Sequence, residues 1–216
     1  MTPPAEALPV LPTGVTEVDA ALTIGGLPCG ALTEFVGESG TGKSYLALRA
    51  IASAQQRGKT CLLLDTEGAH HPVLFRRHDI NADALVMARP ESLEAARAII
   101  DEALYNRLCD LLIIDSFHGL ALPKPHGPSP LSLHTFLPHL QTLVAATGAA
   151  CLITNHLSLL DGQPAPYYGD LMRQYAAVRA LLTLEAESTE GIDVRFEVKR
   201  NNLAPQLGEA VFPIAF

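Results

Sequence analysis

The stretch Gly37-Glu38-Ser39-Gly40-Thr41-Gly42-Lys43-Ser44 matches the pattern G-x-x-x-x-G-K-[S/T] at every defined position. Before it, Leu32-Thr33-Glu34-Phe35-Val36 is apolar and β-favouring; after it, Tyr45-Leu46-Ala47-Leu48-Arg49-Ala50-Ile51-Ala52 favours a helix. A strand, a glycine-rich turn and a helix, in that order, form the setting in which the pattern cradles phosphate. Glycine lets backbone N–H groups turn inward around an anion, and the opening helix points the positive end of its dipole at the same place. The expectation is a nucleotide site. Residues Gly37 to Ser44, with Tyr45 just beyond, form the cradle, Lys43 reaches the terminal phosphates, and the Ser44 hydroxyl sits on Mg²⁺.

Composition narrows the setting. With 216 residues the chain can bury about 70% of its unfolded surface as one domain, so it needs no disulfide or metal staple. Hydrophobic residues at 48% against charged residues at 18%, without an apolar run long enough to span a bilayer, favour a soluble globular protein over a membrane or disordered one. Met1-Thr2-Pro3-Pro4-Ala5-Glu6 has no basic segment leading into an apolar core, so no signal peptide is expected and the cytoplasm is the expected location. Cys29, Cys61, Cys109 and Cys151 lie far apart, mostly in or beside apolar runs, and read as buried thiols. A net charge of −8 gives no general attraction to nucleic acid, so any DNA binding must come from a local patch or from assembly.

The chain then divides into an N-terminal arm, residues 1–12, loosened by Pro3, Pro4, Pro9 and Pro12, and a core domain, residues 13–216. Thr16 to Leu22 reads as a short capped helix. Thr60 to Asp65, Leu85 to Met87, Leu111 to Asp115 and Ala149 to Thr154 read as strands, mostly of the continuous apolar kind that is buried on both faces. Glu91 to Tyr105 and Leu131 to Thr147 show helical spacing, and Pro123 to Pro130 reads as a loop. Strands alternating with helices predict an α/β fold with a mainly parallel central sheet covered by helices on both sides. The tail changes character: Val178 to Glu185 and Ile192 to Val198 flank the turn at 188–191, predicting an antiparallel extension with Val211 to Ile214 at its edge.

In an open parallel sheet the carboxyl ends of the strands share one rim, so Gly37, Glu67, Asp115 and Asn155 should converge there. Asp115, closing an apolar strand, fits a carboxylate that holds Mg²⁺ with Ser44; an acid in this place also serves as an ordinary cap. Glu67 fits a carboxylate that orients or deprotonates the water attacking the γ-phosphate, with a solvated loop acid as the alternative. Asn155-His156 fits a γ-phosphate sensor, although polar residues ending a strand are commonly caps. Mg²⁺ would also let an acidic chain accept ATP by offsetting phosphate charge. The five-residue spacing of His134 and His139 does not place both on one helical face, so no zinc pair is expected from them. No G-x-S-x-G pattern supports acyl chemistry.

Taken in order, these stretches resemble the RecA/RadA recombinases, and bacterial RecA more closely. The likeness runs over about residues 11–216 and rests on Leu11-Pro12-Thr13-Gly14 with Val18-Asp19, Gly25-Gly26-Leu27-Pro28-Cys29-Gly30, Asp65-Thr66-Glu67 with Pro72, Leu112-Ile113-Ile114-Asp115-Ser116, Ile153-Thr154-Asn155-His156 and Val198-Lys199-Arg200-Asn201-Asn202-Leu203-Ala204-Pro205. The resemblance implies a RecA-like P-loop ATPase core without the family's accessory domains. Its site would be completed between subunits of a filament or ring, with ATP and Mg²⁺ as ligands. It implies Lys43 and Ser44 as phosphate and metal ligands, Asp115 as the Walker B acid, Glu67 as the catalytic carboxylate, Lys199 with Arg200 acting on a neighbour's nucleotide, and Leu74 or Phe75 against adenine. His156 stands where the family usually has Gln, and Asn201 where a second basic residue is expected. The segments that would hold DNA, about 117–132 and 157–170, offer Lys124, Tyr167 and Tyr168, with Arg173 just beyond; the second has no Lys or Arg and carries Asp161 and Asp170.

The implied function is ATP-dependent work in DNA recombination or repair, as a minimal recombinase or as a paralogue assisting a host recombinase on single-stranded DNA. A regulatory, protein-binding module of the ImuA-like kind and a KaiC-like ATPase are the alternatives.

Overall fold

A computed structural model describes residues 8–121, 130–160 and 163–216. The chain opens with β1 (Val10–Leu11), α1 (Thr16–Ala21) and β2 (Leu27–Pro28), and continues through β3 (Leu32–Gly37), α2 (Lys43–Gln56), β4 (Cys61–Asp65), α3 (Pro72–Arg77) and β5 (Leu85–Ala88). Next come α4 (Leu93–Tyr105), β6 (Leu111–Asp115), α5 (Phe117–Ala121), α6 (Pro130–Thr147) and β7 (Ala150–Leu160). The chain closes with β8 (Gln163–Pro166), α7 (Gly169–Tyr175), β9 (Ala176–Glu187), β10 (Gly191–Asn201) and β11 (Glu209–Ala215).

The main sheet runs β11-β10-β9-β3-β7-β6-β4-β5. From β9 to β5 every pairing is parallel, while β9, β10 and β11 pair antiparallel. This is the α/β architecture the sequence predicts, antiparallel extension included. The strand pleat shows how so apolar a sequence is used: Cys61, Leu63, Leu111 and Ile113 join a core on the α2 side, whereas their neighbours Leu62, Leu64, Leu112 and Ile114 join a second core against α4 and α6. α2 supplies Leu46, Ala47, Ala50 and Ile51 to the first core; α4 and α6 supply Ala96, Ile100, Leu104, Phe136, Leu137 and Leu140 to the second. α4 begins where the Ser92 side chain accepts from the Ala95 N–H, satisfying a donor of the first turn. Cys61, Cys109 and Cys151 are buried free thiols, and burial pushes those of Cys61 and Cys109 up to about 12.

Four expectations need correction. Residues 10–12 are not a loose arm, because β1 pairs with β2 and Leu11 is buried in the α2-side core. α1 has no side-chain cap; Asp19 instead accepts from the Thr13 N–H at 2.7 Å, tying the helix to the segment that joins it to β1. The segment expected as the first DNA loop begins with a helix, α5, and ends in α6, which Pro130 opens; the loop expected between them falls on residues 122–129, which lie outside the described residues. The segment expected as the second loop is largely a β-hairpin, in which β7 continues past the sheet and pairs with β8, Leu157 opposite Pro166. No helix among the described residues is long and apolar enough to cross a membrane.

Candidate nucleotide-binding site

The turn after β3 depends on glycine at two close approaches. A Cβ at Gly37 would lie 2.6 Å from the Leu182 carbonyl oxygen of the neighbouring β9. Gly42, at φ 82°, would place one 2.5 Å from the Ile214 methyl group. Gly42 leads into α2 without any side-chain cap, so the first-turn amides of α2 keep their donors for another partner. Into this turn Lys43 folds its ammonium, donating to the carbonyls of Gly37 (2.9 Å) and Glu38 (2.6 Å). Only 5% of Lys43 is exposed, and burial lowers its pKa to about 8 against the opposing pull of Asp115, Glu67 and Glu38. The Thr41 hydroxyl donates to the Glu38 carbonyl at 2.8 Å, closing the turn. Glu38 and Ser39 stand exposed at its lip, with Gly40 in the left-handed region beside them.

Asp115 ends β6 directly beside this turn. Burial opposes its charge, but hydrogen bonds from His70, Thr154 and Ser44 prevail and hold its carboxyl below the usual range. His70 Nε2 lies 2.8 Å from Asp115, and the Thr154 hydroxyl donates to the other carboxylate oxygen. His70 is almost fully enclosed, and its own segment is pinned because the Ala69 and His70 N–H groups donate to Asp65, which also receives Arg89 Nε at 2.9 Å. His70 does not stand out in the sequence, since no periodicity marks residues 66–71, whereas Asp65 and Thr154 follow apolar runs within the stretches that resemble the family.

Glu67, just beyond β4, reaches the same rim. The Ser116 hydroxyl donates to its Oε1, His156 Nε2 lies 3.0 Å from that oxygen, and His118 Nδ1 of α5 lies 3.8 Å away. Burial and the Lys43 charge lower the pKa of His156, against the opposing pull of Glu67. The rim thus gathers an ammonium, a hydroxyl-bonded buried aspartate and a half-exposed glutamate around uncapped helix amides. That donor set fits a triphosphate carrying a divalent cation: amides and ammonium for phosphate, hard oxygens of Ser44 and Asp115 for the metal.

The sequence profile of the RecA N-terminal domain matches residues 3–126, more than half of the chain. The chain belongs to the RecA family. It is 32% identical to Protein RecA of Marinobacter nauticus over 99% of its own length and 67% of the relative's. It is equally 32% identical to Protein RecA of Acidiphilium cryptum, over 98% and 67% of the two chains. Protein RecA of Haemophilus ducreyi is 31% identical, with 94% of this chain and 60% of the relative aligned. The chain therefore spans roughly two thirds of the length of these RecA proteins or somewhat less.

Against the RecA-family expectation, several residues sit elsewhere. Asn155 is fully buried with its amide donating to Glu34 Oε1 (2.8 Å) and the Tyr167 carbonyl (2.7 Å), on the opposite face of β7 from His156, so it does not face the phosphate turn. Phe75 is buried in the α2-side core and has no surface to offer a base; Leu74 is half-buried. The Tyr45 ring packs on Phe212 and His78, leaving only its backbone near the turn. Lys199 and Arg200 lie on β10, where Arg200 is level with Arg179 and hence with Glu34, below the Gly37 rim and two strands from β3. They line a cavity of about 460 Å³ with Arg173, Arg179, Pro164 and Pro166. Tyr167 packs edge-on against His118 at 4.6 Å and Tyr168 against Phe117 at 6.3 Å, so both tyrosines cover α5. Arg173 is exposed beside Asp170, and Lys124 lies outside the described residues.

Proposed function

We propose that this RecA-family chain binds and hydrolyses ATP with Mg²⁺ and acts in DNA recombination or repair, as a minimal recombinase or as a paralogue that assists one. The observation that carries the reading is the junction of two motifs: the Ser44 hydroxyl bonded to Asp115 beside the buried Lys43 ammonium, with Glu67 on the same rim. Mg²⁺ supplies Lewis-acid neutralisation of the phosphate oxygens when bound. In this reading Lys43 and the amides of Gly40 to Tyr45 hold the phosphates, Ser44 and Asp115 hold the cation, and Glu67, fixed by Ser116, orients the water for attack. Leu74 is the remaining candidate against the base. Lys199 and Arg200 do not meet their own chain's phosphate turn, which supports a role toward a neighbouring copy in a filament or ring.

Single-stranded DNA is the proposed polymeric ligand. A second reading, a regulatory module with weak DNA binding, is favoured by the lack of any Lys or Arg in residues 157–170 and by two tyrosines already packed on α5. ATP turnover and filter binding of single-stranded DNA, each measured at low salt with and without a host recombinase, test both. Nucleotide-dependent DNA retention supports the recombinase reading. Turnover without any DNA retention, alone or with the recombinase, overturns it in favour of the regulatory one.

A further inference from the structure

His118 and His156 place two imidazoles beside the Glu67 carboxylate. One ligand atom from each of Glu67, His118 and His156 lies within 4.8 Å of the others, and among the described residues no other group of such side chains is so placed. The Glu67–His156 and Glu67–His118 separations are 3.0 and 3.8 Å. Donors held about 2.1 Å from a tetrahedral zinc-type ion stand roughly 3.4 Å apart, so these two separations bracket what a shared cation requires. The three side chains come from three elements: the turn after β4, α5 and β7. Their orientations are supported independently. Ser116 fixes the Glu67 oxygen, while the His118 ring lies edge-on to Tyr167 at 4.6 Å and to His156 at 5.2 Å.

The geometry points to a second cation site, in which Glu67, His118 and His156 take a transition-metal dication of the zinc type and thereby block hydrolysis. The chemistry separates it from the neighbouring Ser44–Asp115 pair. Magnesium favours hard oxygens in octahedral array, whereas two imidazoles and a carboxylate suit zinc, cobalt or nickel. The three protein ligands leave room for water or another small donor on the exposed side, since Glu67 is more than a third exposed. A carboxylate that donates its lone pairs to zinc no longer accepts a proton from water, so the bound cation lowers turnover and leaves the phosphate turn intact. That consequence rests on the role given to Glu67 above; the binding itself does not.

The test uses the whole chain in excess Mg²⁺. Zinc affinity is read by competition with a chromogenic chelator, and Co²⁺ is added separately for its visible spectrum. The wild-type chain should take up one Zn²⁺ and give the intense d–d bands of a low-coordinate cobalt site. His118→Ala and His156→Gln should each weaken zinc at least tenfold and abolish those bands, while His139→Ala, which removes the α6 histidine paired with Asp101, should not. Zinc uptake unchanged in the His118→Ala, His156→Gln double variant overturns the site, as does a wild-type cobalt spectrum of octahedral type. If the chain turns over ATP, stoichiometric zinc should suppress the wild-type rate without changing nucleotide affinity. Zinc bound at the site with the rate unaffected would instead contradict the role of Glu67.

Discussion

Around Lys43 the rim of the sheet is built from buried charge, each group held by hydrogen-bond partners of its own, whereas along the β7–β8 hairpin the same rim is built from half-buried rings and prolines. The first region has Lys43 on two carbonyls and Asp115 on His70, Thr154 and Ser44. The second has Tyr167, Tyr168, Pro164 and Pro166, and no cation between residues 157 and 170. A preorganised charged pocket suits a small, highly charged ligand. A neutral aromatic hairpin suits packing, base stacking or a protein partner, and gives little grip on a phosphate chain. In the proposed function the phosphate and cation ligands Lys43, Ser44 and Asp115 come from one chain, while any contact with single-stranded DNA would draw on cations elsewhere, such as Arg173, Lys199 and Arg200, or on assembly.

The contrast breaks most sharply at Lys43. Lys43→Ala should reduce ATP affinity at least a hundredfold by titration calorimetry, comparable with removing a principal electrostatic donor from a preorganised site; affinity retained within a few fold would mean that the turn's amides hold the nucleotide alone. Arg179→Met should be the most damaging change on the hairpin side, because Glu34 lies fully buried with Arg179 and Asn155 as its partners. Removing the guanidinium leaves that charge uncompensated, at a cost of about 3–5 kcal/mol in chemical denaturation. Asn155→Ala should cost less, about 1–3 kcal/mol, and the loss should appear in Tm and not in nucleotide affinity, since the amide serves Glu34 and the Tyr167 carbonyl. An affinity loss exceeding the stability loss would restore Asn155 as a phosphate sensor.

The smallest effect lies at the far end of the sheet, where Asp110 accepts from the Thr60 N–H and hydroxyl and from Lys59. Burial opposes the Asp110 charge, but those donors outweigh it and depress the pKa. Its contribution is present above the unfolded carboxylate value near 3.8 and is lost as pH falls through the lower folded value. Asp110→Asn should therefore cost under about 1 kcal/mol at pH 7, and the difference from wild type should vanish in strong acid.

Most of the phosphate-turn half is legible in the sequence. The motif is contiguous, and each strand that brings a partner to it is an apolar run ending in a polar residue, as Leu111 to Asp115 and Ala150 to Thr154 show. The hairpin half is not, for reasons that lie in particular residues. Gly119 disfavours a helix, yet it lies in α5, and there the helix crosses Thr66 so closely that a Cβ would meet the Thr66 hydroxyl, which leaves room for glycine alone. Pro164 and Pro166 also suggest a loop, but among the described residues β8 pairs with β7 alone, as an edge strand off the path of the other eight, where a missing N–H is tolerated. Asn155 and His156 read as one sensor although neighbours on a strand face opposite sides, a restriction the period of two already contains. His70 carries no local signal at all; its partner is 45 residues away, on β6.

The division of labour at the rim is tested most directly by Glu67→Gln, with ATP affinity and steady-state turnover measured on the same preparation. Affinity should stay within about threefold, because Lys43, Ser44 and Asp115 are untouched, while kcat falls by about 10²–10⁴ for want of a base. Turnover equal to wild type, or an affinity loss as large as the loss of rate, would contradict it.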